Sequence, residues 1–94
     1  MAKLLKDSSS LNSLRSQIDE IDDNIQDLLM QRIKLATSIG KEKGRVPGKL
    51  FRPAREAQII RRMAAQHQGL FPFPVIIRIW REIIGASLLA EGKF

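Results

Sequence analysis

The chain has 94 residues, of which 44% are hydrophobic and 28% are charged, and its formal net charge is +6. This composition is typical of a single globular domain and argues against wholesale disorder. The chain has no cysteine and a single histidine, His67, which excludes disulfides and thiolate catalysis and argues against a transition-metal site. The basic balance favours an anionic partner: nucleic acid, an acidic membrane surface or a small anion.

The start of the chain, MAKLLKDSSS, is too short and too polar for a signal peptide. No apolar run approaches the ~20 residues that a membrane span needs. The cytoplasm is therefore the predicted compartment. We interpret residues 1–10 as a flexible lead-in and residues 11–94 as the folded domain.

The first predicted element is one very long helix, from about Leu11 to about Lys43. Apolar residues recur there by alternating steps of three and four, a heptad-like seam that Arg32 interrupts. A helix of this length measures about 50 Å, whereas a compact domain of this size has a radius of gyration near 13 Å. We therefore predict that it packs against a copy of itself in a homodimer. The apolar members of the seam are Leu11, Leu14, Ile18, Ile21, Ile25, Leu28, Leu35 and Ile39.

Two shorter helices follow the loop GRVPGKLFRP. The second helix is predicted over residues 54–69, with Pro53 at its first position and Gly69 as its C-terminal stop. After the turn LFPFP, the third helix begins near Pro74, and 3–4 spacing places Trp80, Ser87 and Glu91 on one face. No segment alternates as a strand does, so the predicted class is all-α with three helices.

Arg32 is the first candidate functional residue, because a charge in an apolar seam costs several kcal/mol unless it is paired or binds a ligand. It could reach solvent, pair with an acid on a partner helix and fix the dimer register, or bind an anion inside the bundle. Taken singly, Arg15 fits a solvated residue, and Glu56 fits the helix dipole. Arg55 lies in the same first turn, where the helix dipole disfavours a cation.

Polar groups nevertheless point to the interior from all three predicted helices, and most of them are cationic. Ser87 and Glu91 stand four residues apart among apolar neighbours, and Lys43 lies on a face similar to that of Arg32. Such a constellation fits a small, multiply anionic ligand held between helices. The sequence has no nucleophile–base pair, Gly-rich phosphate loop or metal-ligand motif. An enzyme of this kind would act by positioning and electrostatics.

Three segments resemble the all-helical, type II chorismate mutases: LRSQIDEIDDNIQDLLMQRIKLATSIGKEKG, RPAREAQII and IWREIIGASLL. The resemblance covers nearly the whole chain, from about residue 11 to 91. It implies an intertwined homodimer of three-helix protomers with two active sites inside the bundle. The implied activity is the isomerisation of chorismate to prephenate, on the route to phenylalanine and tyrosine. This reaction needs no cofactor and forms no covalent enzyme intermediate.

The resemblance also implies roles for the cations. Arg15 from the neighbouring protomer, Arg32 and Arg55 would bind the two carboxylates of the substrate, since a guanidinium meets a carboxylate with two parallel hydrogen bonds. Lys43 would donate to the ether oxygen, where negative charge grows as the bond breaks, and would also reach a carboxylate.

The remaining implied contacts include two departures from the family pattern. Glu56 would accept from the substrate hydroxyl, and Ser87 would contact a carboxylate. Many members carry Gln at the position of Glu91 as a second donor to the ether oxygen, so we hypothesise that Glu91 works in its protonated form. Some members carry a carboxylate at the position of Arg52, near the substrate hydroxyl. Arg52 cannot accept a hydrogen bond, and it would instead attract the dianion at the pocket mouth.

Alternative functions remain open from the sequence. Isochorismate pyruvate lyase shares this fold, acts on a dianionic substrate and also relies on a loop lysine. A non-catalytic basic helical dimer that binds nucleic acid is the rival from another class. The cations are spread over three helices and the aromatic residues are only four Phe and one Trp, which argues against nucleic acid. The chain could also be a fragment of a longer bifunctional protein, since the family is often joined to prephenate-processing domains.

Overall fold

The computed structural model describes residues 2–43 and 53–92, which form three α-helices: α1 (Ala2–Lys43), α2 (Pro53–Gln66) and α3 (Phe73–Ala90). No residue of these two ranges lies in a strand, and the predicted all-α class with three helices is confirmed. No helix within the same ranges is long and apolar enough to cross a membrane. The chain divides into two compact units, Met1–Gln31 and Arg32–Phe94.

The first unit consists of the N-terminal part of α1. The helix begins at Ala2, earlier than the predicted start at Leu11, because residues 2–10 contain neither Gly nor Pro to interrupt it. The flexibility predicted for residues 1–10 stays a prediction. The seam residues of this unit are between 47% and 61% exposed, and they are Leu11, Leu14, Ile18, Ile21, Ile25 and Leu28.

The second unit contains residues 32–43 of α1 together with α2 and α3. Its most buried apolar side chains come one from each helix: Ala36 from α1, Ile59 from α2 and Ile84 from α3. Ser87 of α3 is equally buried, at 7% exposure. A serine hydroxyl at this depth needs hydrogen-bond partners. Ser87 therefore places a polar, hydrogen-bonded group among the apolar side chains of the core.

The connection between α2 and α3 is a short turn built around His67. The His67 backbone N–H donates to the carbonyl of Ala64 at 3.2 Å, and its ring meets Phe73 edge to face, with centroids 5.1 Å apart. α2 ends at Gln66 rather than at the predicted Gly69, because Gly69 has a φ of 81° and so belongs to the turn. The turn fixes where α3 begins relative to α2.

The two ends of α3 are set by proline and glycine. Pro72 precedes the helix in an extended conformation, and Pro74 occupies its second position, where a missing N–H costs little. At the other end Glu91 caps the helix, and its N–H donates to the carbonyl of Ser87 at 2.9 Å. Gly92 follows with a φ of 81° and stops the helix. Glu91 is thus the last residue whose position the helix determines.

Candidate active site

The second unit encloses a cavity of about 460 Å³ between its three helices. A volume in this range fits a small molecule. Five polar residues line it, namely Arg32, Arg55, Glu56, Ser87 and Glu91. The rest of the wall is apolar and consists of Leu35, Ala36, Ile39, Ile59, Ile84 and Leu88. An apolar wall with a few converging polar groups is the usual form of a site for a small organic ligand.

Arg32 is held in the cavity wall by two groups from α3. Its Nη1 donates to the hydroxyl of Ser87, and its guanidinium carbon lies 5.9 Å from the centre of the Trp80 ring, within the range of a cation–π contact. The Ser87 hydroxyl in turn donates to the carbonyl of Ile83 at 3.0 Å. Arg32 is half-buried, and these two contacts orient its guanidinium in the cavity wall.

The surroundings of Arg32 disfavour its charge. Burial lowers the pKa of the Arg32 guanidinium from its ordinary value, and the nearby cations Arg55 and Arg62 lower it further, while Glu91 acts in the opposite direction. Arginine remains protonated at any physiological pH. The cavity wall thus carries a positive charge that nearby protein groups only partly compensate, and a bound anion would relieve it.

Arg55 and Glu56 enter the cavity from the first turn of α2. Pro53 begins this helix, and Glu56 is the acidic residue of its first turn, where it is favoured by the helix dipole. Arg55 is exposed, and its Nη1 donates to the side-chain carbonyl of Gln58 at 2.9 Å. That hydrogen bond orients a cation at a helix end where cations are otherwise disfavoured. Adjacent positions on one helix thus give the cavity a donor and an acceptor.

Five of the eight predicted site residues therefore line one cavity. Arg15 does not line it: it lies in the first unit, and its side chain is exposed. Lys43 is the last residue of α1, but its side chain lies outside the described part of the structure, and so does the whole of Arg52. The roles predicted for these three residues, and for the five that line the cavity, stay predictions.

Sequence reasoning missed some residues that shape the site. Ala36 is the most buried apolar residue of the second unit at 4% exposure, and its position four residues after Arg32 signals the same helix face. Trp80, which the spacing places on the same face of α3 as Ser87 and Glu91, lies beside the Arg32 guanidinium. Its position seven residues before Ser87, two helical turns away, was the available signal.

Comparison with known proteins identifies the family to which the chain belongs. The model of the family "Chorismate mutase type II" matches residues 14–92, and the chain belongs to this family. The family predicted from the sequence is thus confirmed.

Relatives of the chain include three longer bacterial proteins. The chain is 38% identical over 87 residues to a bifunctional chorismate mutase/prephenate dehydratase of Aquifex aeolicus, covering 88% of the chain and 24% of that protein. It is 36% identical over 77 residues to a protein of the same description from Neisseria gonorrhoeae, covering 82% and 21%. It is 35% identical over 86 residues to the T-protein of Enterobacter agglomerans, covering 89% and 23%. The chain thus spans less than a quarter of these relatives' length.

Proposed function

We propose that this chain is a chorismate mutase, which isomerises chorismate to prephenate. The observation that carries the proposal is the fixed, partly uncompensated Arg32 in a cavity of the second unit, with Arg55, Glu56, Ser87 and Glu91 around it. This set provides cations for two carboxylates and an acceptor for a hydroxyl, which are the polar groups of chorismate. The apolar wall suits the carbon skeleton between them.

Substrate binding would use the charge imbalance of the cavity wall. Arg32 and Arg55 each present a planar guanidinium that can bind a carboxylate with two hydrogen bonds. Ser87 accepts from Arg32 and donates its one proton to the Ile83 carbonyl, so it would contact the same carboxylate by turning that proton to it. Glu56 would accept from the substrate hydroxyl. Arg52 would attract the dianion at the cavity mouth before it binds.

The chemical step needs only positioning and electrostatic stabilisation. A carbon–carbon bond forms within the substrate while its ether carbon–oxygen bond breaks, and no atom is gained or lost. Clamping both carboxylates selects the folded conformer in which the reacting carbons meet. Lys43 and a protonated Glu91 would donate to the ether oxygen as negative charge develops there. The enzyme would therefore need no nucleophile and no cofactor.

The active form would be a homodimer in which Arg15 of the partner subunit completes each cavity. The support comes from the first unit, where six apolar seam side chains are about half exposed along one face of α1. Contiguous apolar surface of this kind marks a protein contact, and a heptad-like seam is suited to a second helix. The cytoplasm stays the predicted compartment for this dimer.

The test is the loss of chorismate absorbance on adding the purified protein. We expect turnover by the natural chain, and a fall in kcat/KM of about 100-fold or more for Arg32→Ala, the usual effect of losing one group that stabilises developing or bound charge. Arg61→Ala is the matched control, because Arg61 is an exposed arginine of α2 that does not line the cavity. Its activity should equal that of the natural chain.

Two outcomes would contradict the proposal. Absence of turnover by the natural chain would refute the mutase activity, and equal losses in Arg32→Ala and Arg61→Ala would refute the role of Arg32. A parallel assay with isochorismate distinguishes the mutase activity from the isochorismate pyruvate lyase activity that occurs on the same fold. Release of pyruvate at a higher kcat/KM than chorismate isomerisation would identify the chain as a lyase instead.

A further inference from the structure

Gly40 of α1 lies against the backbone of Glu91, at the end of α3. A Cβ atom placed on Gly40 would lie 2.6 Å from the Glu91 carbonyl oxygen, 2.7 Å from its Cα and 2.9 Å from its carbonyl carbon. Favourable contacts between carbon atoms are about 3.5–4.0 Å long. The obstacle is backbone rather than a flexible side chain, so any side chain at position 40 would have to push the end of α3 away.

The backbone conformation does not explain this glycine. Gly40 lies inside α1, and the positive φ angles of the described residues belong to Gly69 and Gly92. Glycine inside a helix is unfavourable relative to alanine, because it loses more conformational freedom on folding. The structure shows one gain at position 40 that offsets this loss, which is the close approach of Glu91.

We propose that Gly40 is a positioning residue, which sets the depth at which Glu91 enters the cavity. This inference rests on the chorismate mutase activity proposed above. Glu91 caps α3 and is followed by the turn at Gly92, so nothing C-terminal to it continues the helix. Its place is determined by the last turn of α3 on one side and by the contact with Gly40 on the other.

The geometry predicts which kinetic constant depends on Gly40. Arg32 and Ser87 bind to each other one to two helical turns before Gly40 and Glu91 along their respective helices. A displacement at the end of α3 would therefore move Glu91 more than it moves the carboxylate-binding pair. Since Glu91 is assigned to the ether oxygen in the chemical step, kcat should fall while KM changes little.

Gly40→Ala tests the proposal, and the chain offers a matched control in Gly85→Ala. Gly85 also lies inside a helix, α3, but a Cβ placed on it meets nothing within 4 Å. Both substitutions add one methyl group to a helical glycine, and only the first creates a clash. We expect kcat of Gly40→Ala to fall about tenfold or more, since a displacement of about 1 Å can cost up to 100-fold, and Gly85→Ala to keep the natural kcat.

A double-mutant cycle distinguishes positioning from general packing. If Gly40 acts through Glu91, adding Gly40→Ala to a Glu91→Ala chain should reduce kcat far less than Gly40→Ala does in the natural chain. The far-ultraviolet circular dichroism and the thermal unfolding midpoint of each variant show whether it is folded at the assay temperature. Both should be native-like for Gly40→Ala.

The outcomes separate this inference from the function on which it rests. An inactive natural chain refutes the mutase activity and this inference together. An active natural chain refutes the inference alone in three cases: Gly40→Ala has the kcat of Gly85→Ala, its effect is unchanged in the Glu91→Ala background, or it is unfolded. In the last case the contact would be part of the core rather than a positioning device.

Discussion

In most proteins apolar side chains are buried and charged side chains are exposed. The two units of this molecule depart from that pattern in opposite ways. In the first unit, apolar seam side chains such as Ile18 and Leu28 are 57% and 61% exposed. In the second unit, the hydroxyl of Ser87 is buried and the guanidinium of Arg32 is half-buried. The same three-and-four rhythm runs through both, and Arg32 is the first residue of the second unit.

We propose that the two units are stabilised by different kinds of partner. Exposed apolar surface is stabilised by removing it from water, at roughly 25 cal/mol per Å², so the first unit needs another protein surface. A half-buried cation is stabilised by an anion, so the second unit needs an acidic ligand. A substitution in the first unit should therefore change assembly, and a substitution in the second should change catalysis. If Arg15 of the partner subunit completes the cavity, loss of assembly should also reduce catalysis.

The largest effect is expected from placing a charge in the exposed seam. Ile21→Lys would bury two lysines, one from each protomer, in an apolar interface, and should convert the dimer to a monomer. Because Arg15 of the partner subunit would then be lost from each cavity, kcat/KM should fall by about 100-fold or more. Light scattering coupled to size-exclusion chromatography measures the mass, and the chorismate assay measures the activity.

Gln26→Lys is the control for that experiment. It adds the same charge to the same helix, at an exposed position outside the seam, and it should leave both mass and activity unchanged. A dimeric and fully active Ile21→Lys chain would show that the exposed seam is not the dimer interface. A monomeric chain with natural activity would show instead that the second unit needs no residue from a partner.

The second prediction is that Arg32 supports activity at the expense of stability. Its pKa is lowered in the folded chain, chiefly by burial, so folding disfavours the charged form. That cost is present at every pH below the lowered pKa, which includes the whole working range, and disappears only as pH rises through it. Arg32→Met fills similar volume without charge. Its unfolding midpoint should be equal to or above the natural one, while kcat/KM falls about 100-fold.

Calorimetry of Arg32→Met and Arg61→Met at neutral pH checks this assignment. Arg61 is exposed, and its replacement should change neither the midpoint nor the activity. A clear drop in the midpoint of Arg32→Met alone would mean that the hydrogen bond to Ser87 and the contact with Trp80 outweigh the cost of burial. Arg32 would then be a structural residue as well as a binding one.

The sequence predicted the helices well because their signals are local. The apolar rhythm of α1 and the prolines at the starts of α2 and α3 are signals that depend only on neighbouring residues. The misplaced boundaries have local causes too: residues 2–10 hold no helix breaker, and Gly69 takes a turn conformation rather than ending the helix directly. Arg32 could be found in the same way, since it interrupts the rhythm.

The parts of the site that could not be predicted depend on distances between helices. The spacing of Ser87 and Glu91 places both on one face of α3, but it does not reveal that Ser87 meets Arg32. Nor does it reveal that Gly40 lies against Glu91, because the pair is separated by most of the chain. The residue assignments for the cations came from the family resemblance, which contains three-dimensional information that one sequence lacks.

The smallest effect is expected at Glu91, where the substitution changes one proton rather than a whole contact. We propose that Glu91 donates to the ether oxygen of the bound substrate, for which its carboxyl group must carry a proton. An ionised Glu91 could not donate and would repel the charge that develops there. Activity of the natural chain should therefore fall as pH rises, because loss of the proton removes the donor.

Glu91→Gln supplies a donor that cannot lose a proton in this way, so its kcat should vary less with pH than that of the natural chain. Glu82→Gln, at an exposed position of α3, should keep the natural profile. Superimposable profiles for the natural chain and Glu91→Gln would show that the side chain at position 91 does not donate a proton-dependent hydrogen bond. The donation to the ether oxygen would then fall to Lys43 alone.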